Sequence, residues 1–405
     1  MNRLYARHRL DIRPVHLRHA VAALAVTDAA REARELERLW SPYGSALACY
    51  SVRSGFHLLL SALELPRGSE VLFSAVTHPD MPRIAEHHGL VPVPVDLDPA
   101  TMAPTPTALA RSISENSRVF VVAHLFGGHA DMGPLADLCR ANGILLVEDC
   151  AQAYQGPPDT GDERAAVSMF SFGILKTATA LGGALFTVRD EALLERMRRI
   201  QLGWPVQARS AHVKRIAQTA AFLSLTRPTP YAAMAGMLGP DFDRFVNTSV
   251  KAFPAGSTAE LVLRLERQPS APLLNLMAHR LESFDHARLL ARAAAGETLA
   301  AMLPAGLHVG GAALGHSHWL FPVVAERPDA LIAAVRALGF DAARSASSVK
   351  AITAPPDRRE LEPARAREVM SRLVFVPAYP ELPAGALDAL AEALAKERNY
   401  EPVSR

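Results

Sequence analysis

Ser171-Phe172-Gly173-Ile174-Leu175-Lys176 is the stretch on which the reading of this chain turns. Upstream, Val147-Glu148-Asp149-Cys150-Ala151-Gln152 puts an acidic pair after the apolar run Ile144-Leu145-Leu146-Val147; downstream stands Gly182-Gly183. An apolar run closed by Asp149 reads as a strand whose C-terminal end faces the crevice where α/β proteins bind ligands. Lys176 follows five positions after Ser171, at the end of a second such run, and the paired glycines let backbone approach closely. A carboxylate, a hydroxyl and an amine are thus delivered from neighbouring strand ends.

The surrounding pattern supports that placement. Short apolar runs at Glu70–Ala75, Val91–Asp96, Arg118–Phe126, Ile144–Glu148, Val167–Phe172 and Gly183–Val188 predict strands. Helical periods at Ser54–Glu64, Pro79–His88, Pro106–Ser114, Pro134–Asn142 and Glu191–Gln201 separate most of them. Consecutive apolar positions imply strands covered on both faces, and their alternation with helices implies a largely parallel α/β sheet. Residues 204–265 break the rhythm, reading as helices interrupted by a turn at Arg227-Pro228-Thr229-Pro230. That insertion is expected to pack on its own domain or a partner subunit. A basic, apolar surface meeting a membrane or lipid-linked substrate is the less favoured reading. Pro272–Leu303 reads as one long helix. Beyond it, strands at Trp319–Val324 and Leu373–Val376 and helices at Asp329–Leu338, Pro363–Ser371 and Ala384–Lys396 predict a smaller α+β domain. The expected organisation is an N-terminal helical segment (1–45), a large α/β domain (46–203), a helical insertion (204–270), and a long connecting helix with a small C-terminal domain (271–405).

Composition narrows the function. With 405 residues, 49% hydrophobic and 21% charged, the chain is an ordinary globular protein long enough for two domains. A net charge of +2 without any Lys/Arg block argues against a nucleic-acid partner. Cys49, Cys139 and Cys150 lie far apart without CxxC spacing, as reduced thiols of a cytoplasmic protein do. The apolar stretch Ala20–Val26 carries no clear cleavage signal, so no secretory leader is expected, and no apolar run reaches the roughly 18 residues of a spanning helix.

The chemistry that joins Lys176, Asp149 and Ser171 is that of pyridoxal 5′-phosphate (PLP). Lysine forms an imine with its aldehyde, aspartate keeps the ring nitrogen protonated, and serine binds its phosphate. Alone, Asp149 is a common strand-end aspartate and Lys176 an ordinary loop lysine; the arrangement carries the reading. Ser54-Gly55 opens a predicted helix, whose free N–H groups attract phosphate, although a plain N-cap serine reads the same way. His78 follows a strand and presents a flat ring for stacking. Glu86-His87-His88 and His316-Ser317-His318 lack the i, i+4 histidine pair or thiol set of a zinc site, so no metal is expected.

In this order the features resemble the fold-type-I PLP transferases, and within them the DegT–StrS family of nucleotide-sugar aminotransferases. His124-Leu125-Phe126-Gly127-Gly128-His129-Ala130-Asp131-Met132 is similar to the family's His-Leu-aromatic-Gly…Ala-Asp-Met segment. Glu148-Asp149-Cys150-Ala151-Gln152 is similar to its Glu-Asp-Ala-Ala-Gln segment, and Phe170-Ser171-Phe172 with Lys176 to its lysine motif. The resemblance runs over about 50–202 and more loosely over 270–400. It implies a large domain with a mostly parallel mixed sheet between helices. It implies that Lys176 and Asp149 are catalytic, with Lys176 bonded to PLP and carrying the proton. It implies that Gln152 lies near the ring's phenolic oxygen, that His78 stacks on the ring, and that Ser171, Ser54 and the Gly55 and Phe56 amides bind phosphate. It also implies a homodimer with active sites at the interface. The chain departs from the family at Ser54-Gly55-Phe56, where Ser-Gly-Thr is usual. It departs again at Glu266-Arg267-Gln268-Pro269-Ser270, where the family's asparagine reaches the partner's phosphate and Arg267 offers a charge instead.

The expected activity is transfer of an amino group from a donor, glutamate, to a keto group of a nucleotide-linked deoxysugar. A PLP enzyme acting on a non-sugar or lipid-linked carbonyl compound, as transaminase or lyase, and a non-catalytic regulatory relative are the alternatives. Lys176 argues against the dehydratase relatives, which carry histidine there.

Overall fold

A computed structural model of the chain describes residues 3–249, 256–346 and 348–396; the outermost parts of the predicted terminal segments and residues 250–255 of the insertion lie outside these. Seven strands form the central sheet: β1 (Ala46–Cys49), β2 (Glu70–Ser74), β3 (Val91–Val95), β4 (Ser117–Ala123), β5 (Leu145–Asp149), β6 (Val167–Ser171) and β7 (Ala184–Val188), in the spatial order β1-β7-β6-β5-β4-β2-β3. β3, β2, β4, β5 and β6 run parallel, and only β7 is reversed against both its neighbours. Apolar side chains such as Val71, Phe73, Val121, Val147 and Met169 are buried on one face, and Leu72, Phe120, Val122 and Leu146 on the other. Cover on both faces is why the strands read as continuous apolar runs.

The sheet matches the predicted mixed, mostly parallel architecture. β1 was not foreseen, because Ala46-Leu47-Ala48-Cys49 is short and carries no β-branched residue. β4 stops at Ala123 rather than at Phe126: the His124 amide bonds back to the Asp149 carbonyl at 3.0 Å, and Phe126 takes a φ of +59°. The helix predicted from Ser54 starts earlier and spans Val52–Leu63. The long connecting helix expected over Pro272–Leu303 is two helices, Ala271–Glu282 and His286–Ala301. Asp285 caps the second by accepting from the Arg288 amide at 3.0 Å. Phe284, in the break, packs over Gly156, where a Cβ would lie 2.2 Å from the ring.

The C-terminal strands Phe321–Val324 and Leu373–Val376 pair antiparallel, packed by helices Pro328–Ala337 and Ala386–Leu394 around Val323, Val335, Leu390 and Leu394. A short antiparallel pair, Val76–Thr77 with Lys350–Ala351, fastens this region to the central sheet. The insertion folds onto its own chain: helix Arg209–Leu225 lies against Pro14–Ala22, and helix Thr258–Leu265 against Val52–Leu63 and Asp80–His87. Among the described residues no helix is long and apolar enough to cross a membrane.

One buried ionic knot joins the N-terminal arm, the insertion and the C-terminal region. Arg7 reaches Asp341 at 2.7 Å and Asp243 at 2.6 Å, Tyr231 donates to Asp341 at 2.8 Å, and Arg336 bridges both acids. Asp341 is fully buried, so deleting its carboxylate leaves the buried Arg7 with Asp243 alone and the Tyr231 hydroxyl without its acceptor. Asp341→Ala is therefore expected to destabilise the fold by about 3 kcal/mol, read from urea unfolding.

Candidate active site

Parallel strands put all their C-terminal ends at one sheet edge, and one cavity of about 560 Å³ opens there. Tyr50 and Ser51 follow β1, Thr77 and His78 follow β2, and Ala123 and His124 come from the end of β4. Asp149 ends β5, Ser171 ends β6, and Gly182-Gly183 precede β7. The register Ala123↔Asp149↔Met169 sets the ends of β4 and β5 level with β6.

Lys176 sits in a tightly tied loop. The Ala180 and Gly182 amides both donate to the Phe172 carbonyl, at 2.9 and 3.1 Å, and the Phe172 amide donates to Gly183 at 3.1 Å. Ala178 and Leu181 hold φ values of +53° and +68°, a strained region for residues with a Cβ. Asp11 of the N-terminal arm accepts from the Ala178 amide at 2.6 Å and pairs with Arg288 at 3.1 Å. His8 Nε2 and Trp319 Nε1 both meet the Leu175 carbonyl, at 3.0 and 2.9 Å. The Lys176 ammonium lies 4.4 Å from the centre of the Trp319 ring.

Burial lowers the Lys176 pKa to about 8, while the Asp149 charge raises it and Arg53 lowers it. Burial raises the Asp149 pKa, whereas the Ala151 amide (3.0 Å to Oδ1) and Lys176 pull it back. Gln152 accepts from the Phe126 amide at 3.0 Å, and His78 Nδ1 accepts from the Asp80 amide at 3.2 Å. Ser171 Oγ takes a weak bond from the Gly173 amide at 3.4 Å.

Lys176, Asp149, Gln152, His78 and Ser171 therefore line one cavity, and Ser54, Gly55 and Phe56 do not. The Ser54 hydroxyl donates to the Leu265 carbonyl, and the Gly55 amide is spent on the Ser51 carbonyl at 2.9 Å. Gly55 faces strand β7, where a Cβ would lie 2.3 Å from the Phe186 ring. Phe56 is fully buried against Phe73. The helix start that faces the cavity is Ser51-Val52-Arg53, one turn earlier; Ser51 caps it by accepting from the Ser54 amide at 3.1 Å. Sequence reasoning also missed the insertion's wall (Gln207, His212, Arg215, Leu261 and Arg264) and Lys350 from the C-terminal region.

Two groups of metal-ligand residues exist among the described residues: His308, His316 and His318, and His124, Glu148 and Cys150. His316 Nδ1 accepts from the His318 amide at 2.9 Å, which places the neutral ring's proton on Nε2 and leaves no lone pair for a cation. His124 Nδ1 accepts from the Ala130 amide at 3.0 Å, and its Nε2 is paired with Glu148 at 2.8 Å. The second group is a hydrogen-bonded core cluster, whereas in the first Nε2 of His308 and His316 and Nδ1 of His318 are buried without a hydrogen-bond partner.

Residues 19–216 match the model of the DegT/DnrJ/EryC1/StrS aminotransferase family. The chain falls within that family over residues 19–216, the stretch that carries Asp149, Ser171 and Lys176. It is an aminotransferase whose cofactor is pyridoxal phosphate and whose partners are a small-molecule amino donor and acceptor. Solved structures share the fold throughout. The aminotransferase TlmJ of Streptoalloteichus hindustanus is 17% identical, with 98% of each chain covered and a TM-score of 0.67. The sugar aminotransferase CalS13 of Micromonospora echinospora is 20% identical, covering 98% of this chain and 100% of that one with a TM-score of 0.66. NtdA of Bacillus subtilis, solved with bound PMP, is 15% identical, covering 95% of this chain and 82% of that one with a TM-score of 0.68. The cavity's own donor set fits the family's cofactor: a lysine of lowered pKa and a buried carboxylate share it with a strand-end serine and the open start of a 12-residue helix.

Because Asp149 raises the Lys176 pKa, Asp149→Asn is expected to lower it below about 8. The pH dependence of Lys176 acylation in cofactor-free protein, followed by mass spectrometry, checks the shift.

Proposed function

We propose that this aminotransferase moves an amino group from glutamate to a keto group of a nucleotide-linked deoxysugar. The observation that carries this reading is the charge around the cavity. Arg53, Arg83, Lys176, Arg215, Arg264 and Lys350 line it against two carboxylates, Asp80 and Asp149. Such a wall favours ligands carrying several negative charges, as a dicarboxylate donor and a diphosphate-bearing acceptor both do. The size of the cavity leaves room for an acceptor beyond the cofactor.

Bound in this site, pyridoxal phosphate supplies an aldehyde and a ring that draws electrons from the reacting carbon. Asp149, buried at the cavity wall, would accept a hydrogen bond from the ring nitrogen and keep it protonated. Lys176 Nζ, with its pKa drawn down to about 8, is neutral often enough near pH 7 to take the proton from the donor's Cα and to return one to the acceptor's carbon. Trp319 and the His8–Leu175 contact hold the loop from which Lys176 reaches. Gln152 and His78 supply a polar edge and a flat face. Ser171 offers a hydroxyl to phosphate. We further assign the enzyme to the cytoplasm, on its three buried free thiols, and to a homodimeric state that sedimentation at twice the chain mass would support.

Lys176→Ala is expected to keep the folded far-UV spectrum and lose more than about 100-fold in transamination rate. The acceptor is found by loading the protein with pyridoxamine phosphate and adding keto-sugar nucleotides, free keto sugars and simple ketones in turn. Return of the visible band with the nucleotide-linked compounds alone supports the proposal. Return with simple ketones alone, or the absence of any band change with glutamate, contradicts it.

A further inference from the structure

The revised helix start changes which residue stands nearest a bound anion. Arg53 occupies the second position of helix Val52–Leu63 and lines the cavity with Ser51 and Val52. The first positions of a helix have amides with no intrahelical acceptor. Its guanidinium is mostly buried, and Nη1 is paired with Asp80 Oδ2 at 2.7 Å. Asp80 is a hub: its Oδ1 also takes Arg83 Nη1 at 3.2 Å, and its Oδ2 lies 3.7 Å from His78 Nδ1. One carboxylate thus holds two guanidinium groups at one side of the pocket, with the His78 ring beside it.

Asp80 does not balance the charge. Burial is the main cause that lowers the pKa of Lys176 and of Arg53; Arg53 adds to the first shift and Arg215, from the insertion, to the second, so Arg53 stands near two like charges. Concentrated positive charge with little water to screen it favours an anion placed among these groups. Until that anion arrives, the Asp80 carboxylate occupies the guanidinium. A guanidinium is suited to phosphate because its planar fork offers paired donors, which a threonine hydroxyl at the same position lacks.

We propose that Arg53 binds the phosphate of the cofactor and takes the place of the hydroxyl that the family's Ser-Gly-Thr turn supplies, because the helix start that lines the cavity is Ser51-Val52-Arg53. The inference rests on pyridoxal phosphate as cofactor and not on the identity of the acceptor. It also accounts for the absence of a small hydroxyl residue after Ser51-Val52, and it makes Asp80 the carboxylate that competes with phosphate for Arg53.

The test compares two probes that differ only in the phosphate: pyridoxal phosphate and pyridoxal, each titrated into cofactor-free full-length protein and followed by the visible absorbance of the bound form. Arg53→Ala is expected to weaken pyridoxal phosphate about 10- to 100-fold while leaving pyridoxal unchanged, and Arg53→Lys to recover part of the loss. Asp80→Asn, which removes the competing carboxylate, is expected to preserve or raise the preference for the phosphorylated form. Equal weakening of both probes in Arg53→Ala, no weakening of either, or a reduced preference in Asp80→Asn would overturn the assignment. Failure of the unmodified protein to bind pyridoxal phosphate at all would overturn the functional reading itself, a separate outcome.

Discussion

The structure depends on one constraint: an amine and a carboxylate must face the same small volume while most of both side chains is withdrawn from water. Two adjacent parallel strands, β5 and β6, end at the same sheet edge and meet it. Asp149 is the last residue of one strand, and Lys176 is returned to the edge by a loop whose later amides bond back to Phe172. The strain at Ala178 and Leu181 is tolerated because that loop is held from three sides, by Asp11, by His8 and Trp319 at the Leu175 carbonyl, and by its own closure. Withdrawal from water lowers the lysine's pKa, and the nearby carboxylate limits the fall, leaving an amine that titrates close to neutrality.

Cationic groups from distant parts of the chain complete the site. Arg53 comes from the first turn after β1, Arg83 from the helix after β2, Arg215 and Arg264 from the insertion, and Lys350 from a two-residue strand that pairs with Val76–Thr77. The insertion's place is thus explained by what it faces: it walls the cavity and, through Asp243 and Tyr231, is tied to Arg7 and Asp341. A segment that reads as an interruption in the α/β rhythm becomes part of the pocket's wall.

Much of this was legible in the residues. Strands buried on both faces leave continuous apolar runs, and an acid or serine at the end of such a run marks the functional edge, so Asp149, Ser171 and Lys176 were placed together correctly. The helix start was placed one turn late because two serines, Ser51 and Ser54, both precede good helical sequence. The choice between them is tertiary: Ser54 is turned toward the Leu265 carbonyl of a helix more than 200 positions away. The break at Ser283-Phe284-Asp285 was masked by strong helix formers on both sides, although Asp285 is itself a capping residue. The pairing of Val76–Thr77 with Lys350–Ala351, and with it the placing of Lys350, left no local signal, because two-residue strands have no period to read.

The account stands or falls on which amine the cofactor joins. Reduction of the cofactor-loaded protein with borohydride adds hydride to the carbon–nitrogen double bond and fixes the vitamin moiety to its lysine, which peptide mass mapping then locates. The account predicts the label on Lys176, with Lys350 unmodified although it lines the same cavity. Label on Lys350, or on a lysine outside the pocket, would contradict it.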